Sequence, residues 1–329
     1  MIEIDGSEGG GQLLRSSLSL SALTRKPFKM INIRGKREKP GLQNQHLTAV
    51  NSISKICNAK VIGNFLHSKE LEFIPSEIVS GNYKFDIGTA GSTTLVAQTI
   101  LPPLLFANQI STVDIVGGTA NPLAPPALDV KEVFLYHLNN FGAIVNLEIE
   151  REGFYPKGNG KIKLTINPCK KLEFKIIKPQ DKVVNVFAVA SNDLSDRKVA
   201  KRMIDGFVSN FPRDYKSISH AWYVETSSTG CYIHANYKKI GMSILGERAL
   251  TAENVGKECA LKLLEEINSK ADTDHFTADQ LLLYLAISGS GTIHVSNITD
   301  HMRTNINIIE KFLDVKFEIK NNVIECKKI

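Results

Sequence analysis

The sequence predicts an α/β protein in which three related units build one large domain and a smaller α/β domain is inserted between the second and third. Two observations carry this prediction. One pattern (a helix, a short alternating strand, a second helix and two strands) recurs three times along the chain, with i, i+3, i+4 apolar spacing in the helices. Between its second and third copies lies a stretch with a different order of elements. A length of 329 residues, 43% hydrophobic and 22% charged, supplies ample core for either one large domain or two modest ones.

The first copy begins GGGQLLRSSLSLSALT, continues with FKMINIRG as a strand ending at Arg34, and runs through HLTAVNSISKICNAKVIG to LEFIP. The second begins GSTTLVAQTILPPLLFA and continues through STVDIVGG and VKEVFLYHLNNFGAIVNLEIE to GKIKLTI. The third begins ADQLLLYLAIS and continues with TIHVSN, as a strand ending near Ile298, then TNINIIEKFLDVKFEIK and VIECKK; Asn321-Asn322 reads as a tight hairpin turn. Each unit places two helices on one face of a small sheet, so the three can share a core. The inserted stretch reads as a strand, VVNVFAVASN, then a charged helix from Leu194 to about Ser209. Two strands, ISHAWYVET and CYIHANY, meet at Ser227-Ser228-Thr229-Gly230, and an amphipathic helix from Ala252 to Asn268 closes it. The insertion is placed at 178–271, leaving 1–177 and 272–329 for the large domain.

The opening Met1-Ile2-Glu3-Ile4-Asp5 has neither the basic nor the apolar region of a signal peptide. The most apolar stretch, Thr94 to Ile110, is interrupted by Gln98, Pro102 and Pro103, so no membrane span or membrane partner is expected. Five scattered cysteines without a CxxC pair argue against a disulfide framework or a zinc site, and for a cytoplasmic location. The net charge of +6 is uneven: seven basic residues between Arg25 and Lys39 face Glu38 alone. Such a run suits a polyanion through phosphate neutralisation, or is simply a solvated face.

Two glycine-rich turns open helices, Ser7 to Gln12 and Gly88 to Thr93. Glycine lets backbone N–H groups approach an anion, and a helix N-terminus adds partial positive charge. Neither turn is a P-loop or a dinucleotide fingerprint. Their matching places in the repeat allow both helix ends to converge on one site. Glu8 lies within the first turn, where a carboxylate tolerates phosphate only with a divalent cation between them; otherwise it merely favours a helix start. Arg15 lies one helical turn on, and Arg34 and Arg37 border the loop Lys39-Pro40-Gly41. Arginine holds phosphate in a planar fork, so this cluster points to a nucleotide or RNA phosphate.

Seven segments together resemble the RNA 3'-terminal phosphate cyclase family along essentially the whole chain: DGSEGGGQLLRSSLSLS, IRGKREKPGLQNQHLTAV, GTAGSTTLVAQTILP, GGTANPLAPPA, GFYPKGNG, TADQLLL and DHMRTNINIIEKFL. They are long, ordered and specific. The resemblance implies βαβαββ-type repeats with an inserted domain of thioredoxin-like topology. It makes His301, in the last motif, the nucleophile that attacks the α-phosphate of ATP and carries AMP. Glu8 becomes the contact to Mg2+ or Mn2+, and Arg15, Arg34, Arg37 and Gln45 line the reactive centre. Gln98, Pro125 and the run Phe276-Thr277-Ala278-Asp279-Gln280 match the nucleotide site; His46 matches without an assigned role. Two places depart from the family pattern. The first glycine loop is short, and Leu128 stands where an acid is usual, with Asp129 one place late.

The implied reaction uses ATP to convert an RNA 3'-phosphate to a 2',3'-cyclic phosphate through an RNA-pp-A intermediate. A neutral imidazole is a competent nucleophile for the first step, and the last attack is intramolecular. The implied partners are ATP and RNA with a 3'-terminal phosphate, with a homodimer also considered. Two other readings share the architecture: a cyclase-like ribosome-assembly factor, which lacks the nucleophile, and a carboxyvinyl transferase, which needs no covalent AMP.

Overall fold

The structure is a computed structural model and describes residues 1–8, 10–176 and 182–329. The expected boundary between 177 and 178 lies outside the described residues, as does Gly9 of the first glycine-rich turn.

The first unit comprises β1 (Ile2–Asp5), α1 (Gly10–Thr24), β2 (Phe28–Ile31), α2 (Asn44–Ile56), β3 (Lys60–Ile62) and β4 (Leu71–Ile74). Its sheet has the order β1-β2-β4-β3, with β1 parallel to β2 and the other pairs antiparallel. The second unit repeats this with β5 (Asn82–Asp86), α3 (Thr93–Leu105) and β6 (Ser111–Gly117). A helical stretch follows, α4 (Ala127–Asp129), a π-helical turn (Val130–Phe134) and α5 (Leu135–Asn140), then β7 (Ile144–Arg151) and β8 (Gly160–Asn167), in sheet order β5-β6-β8-β7. Each of these two units thus has a leading strand before its first helix.

The inserted segment forms β9 (Val183–Ser191), α6 (Val199–Asn210), β10 (Lys216–Val224), β11 (Cys231–Tyr237), β12 (Ile240–Leu245) and α7 (Ala252–Asn268). The third unit is α8 (His275–Ser288), β13 (Gly291–His294), α9 (Asp300–Phe312), β14 (Val315–Lys320) and β15 (Val323–Lys328), with sheet order β13-β15-β14. Among the described residues no leading strand joins this third sheet.

One apolar cluster runs through all three units, and α1 sits at its centre, packed on α2, α3 and α9. That position explains the serines of RSSLSLS, whose hydroxyls bond within α1 or to its neighbours. Pro103 has no N–H to offer the Thr99 carbonyl one turn back, and Ser19 Oγ donates to that carbonyl instead at 2.7 Å. The prolines that interrupt the apolar stretch therefore lie in the last turn of a buried helix. No helix among the described residues is long and apolar enough to cross a membrane.

The structure corrects four local expectations. The strand expected to reach Arg34, β2, ends at Ile31, and Arg34 follows in a loop with left-handed backbone, φ 54°. In the third unit the strand ends at His294, so His301 lies in the first turn of α9. The charged helix begins at Val199, because Lys198 at φ 52° interrupts the chain after a 3-10 turn, Asn192–Leu194. Finally, β10 and β11 do not pair with each other. Both pair with β9, giving the order β10-β9-β11-β12, and β12 is a strand absent from the sequence reading. The β11–β12 turn, Lys238-Lys239, has Lys238 at φ 53° and lacks the usual glycine or asparagine.

A second apolar cluster lies between the inserted sheet and α6 and α7. The other face of that sheet meets the main body, where Val189 and Tyr232 pack on Ala120, Leu128 and Phe154. Tyr232 Oη donates to buried Glu152 Oε1 at 2.8 Å. His137 of α5 donates through Nε2 to the Lys239 carbonyl at 2.9 Å, and burial brings its pKa down to about 4. Below its ordinary value of about 6.5 the unfolded chain takes up a proton that the folded chain refuses, so stability is lost as pH falls. At pH 5 this costs about 2 kcal/mol. His137→Gln keeps an amide donor without the titration, so its melting temperature should fall less than the parent's between pH 7 and 5. Equal falls would contradict the assignment.

Candidate active site

A cavity of about 750 Å³ opens where the three units and the inserted sheet meet. α1 contributes Gln12 and Arg15, the loop after β2 gives Arg34 and Arg37, and α2 gives Gln45 and His46. Gln98 enters from α3, Pro125 from the segment before α4, and Phe276, Asp279 and Gln280 from α8; His301 stands at the start of α9. Ten residues to which the resemblance gives a role thus share one cavity, together with His46, although they are scattered over most of the chain.

The first glycine-rich turn explains its own composition. A Cβ on Gly10, which has φ +56°, would lie 2.9 Å from Arg37 Nη2, and one on Gly11 would collide with the His46 ring. Side chains from three elements converge there, and only glycine leaves them room. The second glycine-rich turn does not line the cavity. Its Ser92 N–H is already taken by Gln45 Oε1, at 3.0 Å, so the two helix ends do not converge on one anion.

His301 is held from behind. Its Nδ1 meets Gln12 Oε1 at 2.5 Å, and Gln12 Nε2 donates to Asp279 Oδ1 at 2.8 Å. Because the amide presents its NH2 to the carboxylate, its oxygen faces the imidazole, and Nδ1 must carry the donated hydrogen. The Nε2 lone pair is then left for the cavity. Asp279 is buried, which raises its carboxyl above the ordinary range, against the lowering effect of the Gln12 bond. One turn beyond His301, Asn305 accepts from Ser16 Oγ at 2.7 Å and donates to the Asp279 carbonyl at 3.3 Å, tying α9 to α1 and α8. Sequence reading passed over Gln12 and Asn305, both of which lie inside the motifs it quoted. Thr299 caps α9 by accepting from Met302 N at 3.1 Å.

The cationic wall is Arg15, Arg34 and Arg37. None forms an ion pair among the described residues. Burial pulls the Arg15 pKa down to about 10, a cost that an anion in the cavity would remove. Arg34 donates to the carbonyls of Lys39 (2.6 Å) and Gly41 (3.0 Å), so part of its fork braces its own loop. His46 Nδ1 accepts from Gln43 N at 3.3 Å. Burial, then Arg15 and Arg34, bring its pKa down to about 3, leaving a neutral ring whose Nε2–H points toward Gly11.

On the nucleotide side, Gln98 Nε2 donates to Gln280 Oε1 at 2.6 Å, and Thr94 Oγ1 donates to the Pro125 carbonyl at 2.8 Å. Phe276 is 57% exposed and packs on His275 with ring centroids 3.9 Å apart. Thr277 and Ala278 do not line the cavity; both are fully buried within the first turn of α8, where Thr277 N donates to Asp274 Oδ1 at 2.8 Å. At the departure from the family pattern, Leu128 packs against the inserted sheet while Asp129 lines the cavity, 3.5 Å from His234 Nδ1. Burial, with Asp274 nearby, pushes the Asp129 carboxyl well above its ordinary range.

Glu8 lies outside the cavity lining, exposed and ion-paired with Lys36. The basic run is largely matched. Arg25 faces Glu77 at 3.8 Å, Lys29 sits 3.7 and 3.6 Å from Glu70 and Glu72, and Lys26 donates to the Phe312 carbonyl at 2.8 Å. The expected polyanion face therefore narrows to Arg34, Arg37 and Lys39.

The model of the family described as RNA 3'-terminal phosphate cyclase matches residues 6–319. An RNA 3'-terminal phosphate cyclase of Sulfolobus acidocaldarius is 42% identical, over 98% of this chain and 98% of its own length. Those of Methanosarcina barkeri (39% identical, 97% of each chain) and Pyrococcus furiosus (38%, covering 99% of this chain and 97% of its own) match equally throughout. The solved enolpyruvyl transferase NikO of Streptomyces tendae aligns with a TM-score of 0.35 at 12% identity, and this chain spans about half its length (49%), a likeness too slight to bear on fold or function. With a family model over nearly its full length and relatives this similar, the chain belongs to the RNA 3'-terminal phosphate cyclase family.

Proposed function

We propose that the chain converts an RNA 3'-terminal phosphate to a 2',3'-cyclic phosphodiester with ATP, through a histidine–AMP on His301. The observation that carries this is the His301–Gln12–Asp279 chain at the cavity, which leaves Nε2 as the free nucleophile. Nε2 attacks the α-phosphorus, the bond to pyrophosphate breaks, and pyrophosphate leaves while Nδ1 keeps its hydrogen against Gln12. An oxygen of the RNA 3'-phosphate then displaces the imidazole, giving RNA-pp-A. Last, the neighbouring 2'-hydroxyl attacks the RNA phosphorus, its proton passes to solvent, and AMP leaves. Arg15, Arg34 and Arg37 act as fixed cations for the charge on the transferred groups, with Gln45 and the neutral His46 as polar neighbours. Gln98, Gln280, Pro125 and Phe276 hold the nucleotide, with the buried Thr277 and Ala278 anchoring the start of α8. The same proposal assigns catalysis to 1–177 with 272–329 and treats 178–271 as an inserted unit.

A resident metal does not fit the residues present. The Glu8 carboxylate is spent on Lys36, and no group of three or more ligating side chains occurs among the described residues. An ion arriving with the nucleotide phosphates does fit the one-carboxylate pattern, and Mg2+ or Mn2+ there would neutralise phosphate charge. Glu8→Ala should then raise the metal concentration needed for protein adenylation, and Lys36→Ala should lower it by freeing Glu8. Metal titrations unchanged in both variants would remove Glu8 from the account.

Gln12 is a positioning residue. Gln12→Ala should slow AMP transfer to the protein on the order of tenfold, with the ATP affinity kept, since Nδ1 loses the partner that orients the ring. A change in ATP affinity at constant transfer rate would contradict that role.

The reading as a whole is tested with an oligonucleotide ending in a 3'-phosphate. With ATP its end should become resistant to phosphatase, with one AMP released per cyclised end. A 3'-phosphate that stays sensitive in the presence of ATP and metal would leave an RNA-processing factor without cyclase activity as the better reading.

A further inference from the structure

The inserted sheet has two faces. α6 and α7 cover one, burying Val184, Val186 and Ala188. The other supplies Ser243 of β12 to the cavity wall, and His234 Nδ1 lies 2.9 Å from its hydroxyl. The register carries this face on through Phe187 of β9 to His220 and Trp222 of β10, the opposite edge of the sheet. There it is open. Phe187 and His220 stack with centroids 5.3 Å apart and ring planes at 14°, and Trp222 stands 5.4 Å from Phe187 and 6.0 Å from His220. Trp222 is 42% exposed, His220 is exposed, and neither belongs to a buried core cluster.

We propose that this aromatic shelf stacks the unpaired bases just upstream of an RNA 3'-terminal phosphate held in the cavity. The inference rests on the cyclase reading above. Three features favour RNA bases as the occupant. Exposed rings on a four-stranded sheet backed by helices are a geometry that receives about two or three bases. From β12 at the cavity to β10 is three strand spacings, about 14 Å, a span a short single strand can cover. The residues that share this face on β9 and β10 and are not buried against the main body (Asn185, Lys216, Ile218) carry no carboxylate to repel phosphates. Stacking of this kind is tolerant of base identity, which suits an enzyme acting on RNA ends.

Trp222 is the only tryptophan of the chain, so its fluorescence reports on the shelf alone. Single-stranded RNA ending in a 3'-phosphate should quench it. Trp222→Ala should raise KM for such an oligonucleotide about tenfold. It should leave kcat, AMP transfer from ATP to the protein, and KM for a dinucleotide 3'-phosphate unchanged, and Trp222→Phe should restore most of the loss. An unchanged KM for the oligonucleotide overturns the proposal, as does an equal rise for the dinucleotide. Loss of a dimer in Trp222→Ala by light scattering, without a change in KM, assigns the edge strand to a second copy instead. If the wild type cyclises no RNA at all, the cyclase reading fails; the fluorescence titration still reads RNA on the shelf independently.

Discussion

His301→Ala should fold as the parent chain does and take up no AMP from ATP. The side chain is exposed in the first turn of α9, and the buried residues of that helix, Met302, Asn305, Ile306, Ile308, Ile309 and Phe312, are untouched by the change. Its loss removes the Nε2 lone pair that the Gln12 contact leaves facing the cavity, and with it the only bond by which the protein can carry the nucleotide in the proposed scheme. Cyclisation should drop below detection, because every later step needs the transferred AMP. Melting temperature and protein labelling with α-labelled ATP separate the two halves of this prediction. A variant labelled as well as the parent would displace His301 from the mechanism.

The second large effect is expected at Arg37. Its guanidinium packs over Gly10 on the cavity wall and has no ion-pair partner among the described residues, so nothing in the fold depends on its charge. A fixed cation at the transferring phosphates is needed most when charge develops in the transition state, where losing one such interaction costs on the order of a hundredfold. Arg37→Ala should therefore depress cyclisation by about that factor even at saturating RNA. Lys29→Ala should not, because Lys29 is already held between Glu70 and Glu72. If Arg37→Ala regains the full rate at high RNA, it is a binding contact only.

Much of the architecture was legible from the sequence, for physical reasons that can be named. α7 occupies the stretch its amphipathic pattern marked, Ala252–Asn268, because its apolar side must meet α6, β11 and β12 while the rest meets water. β12 escaped because its turn, Lys238-Lys239, carries no residue that signals positive φ. The pairing of β10 with β9 escaped because strand neighbours depend on contacts that alternation does not encode. The site was legible through long motifs, whereas the relay through Gln12 depends on how α1, α8 and α9 lie side by side. The basic run stayed open between a polyanion face and a solvated one for a similar reason. The acids that neutralise Arg25 and Lys29 (Glu77, Glu70 and Glu72) come from β4 and its flanks, far along the chain but adjacent in the sheet.

Locating the bound AMP tests the central claim most directly. After incubation with ATP and metal but no RNA, peptide mass spectrometry should find adenylate on the peptide containing His301 and nowhere else, through a linkage labile to acid and stable to hydroxylamine, and added 3'-phosphate RNA should discharge it. Adenylate on a lysine or a carboxylate, or on His301 but unmoved by RNA, would contradict the account.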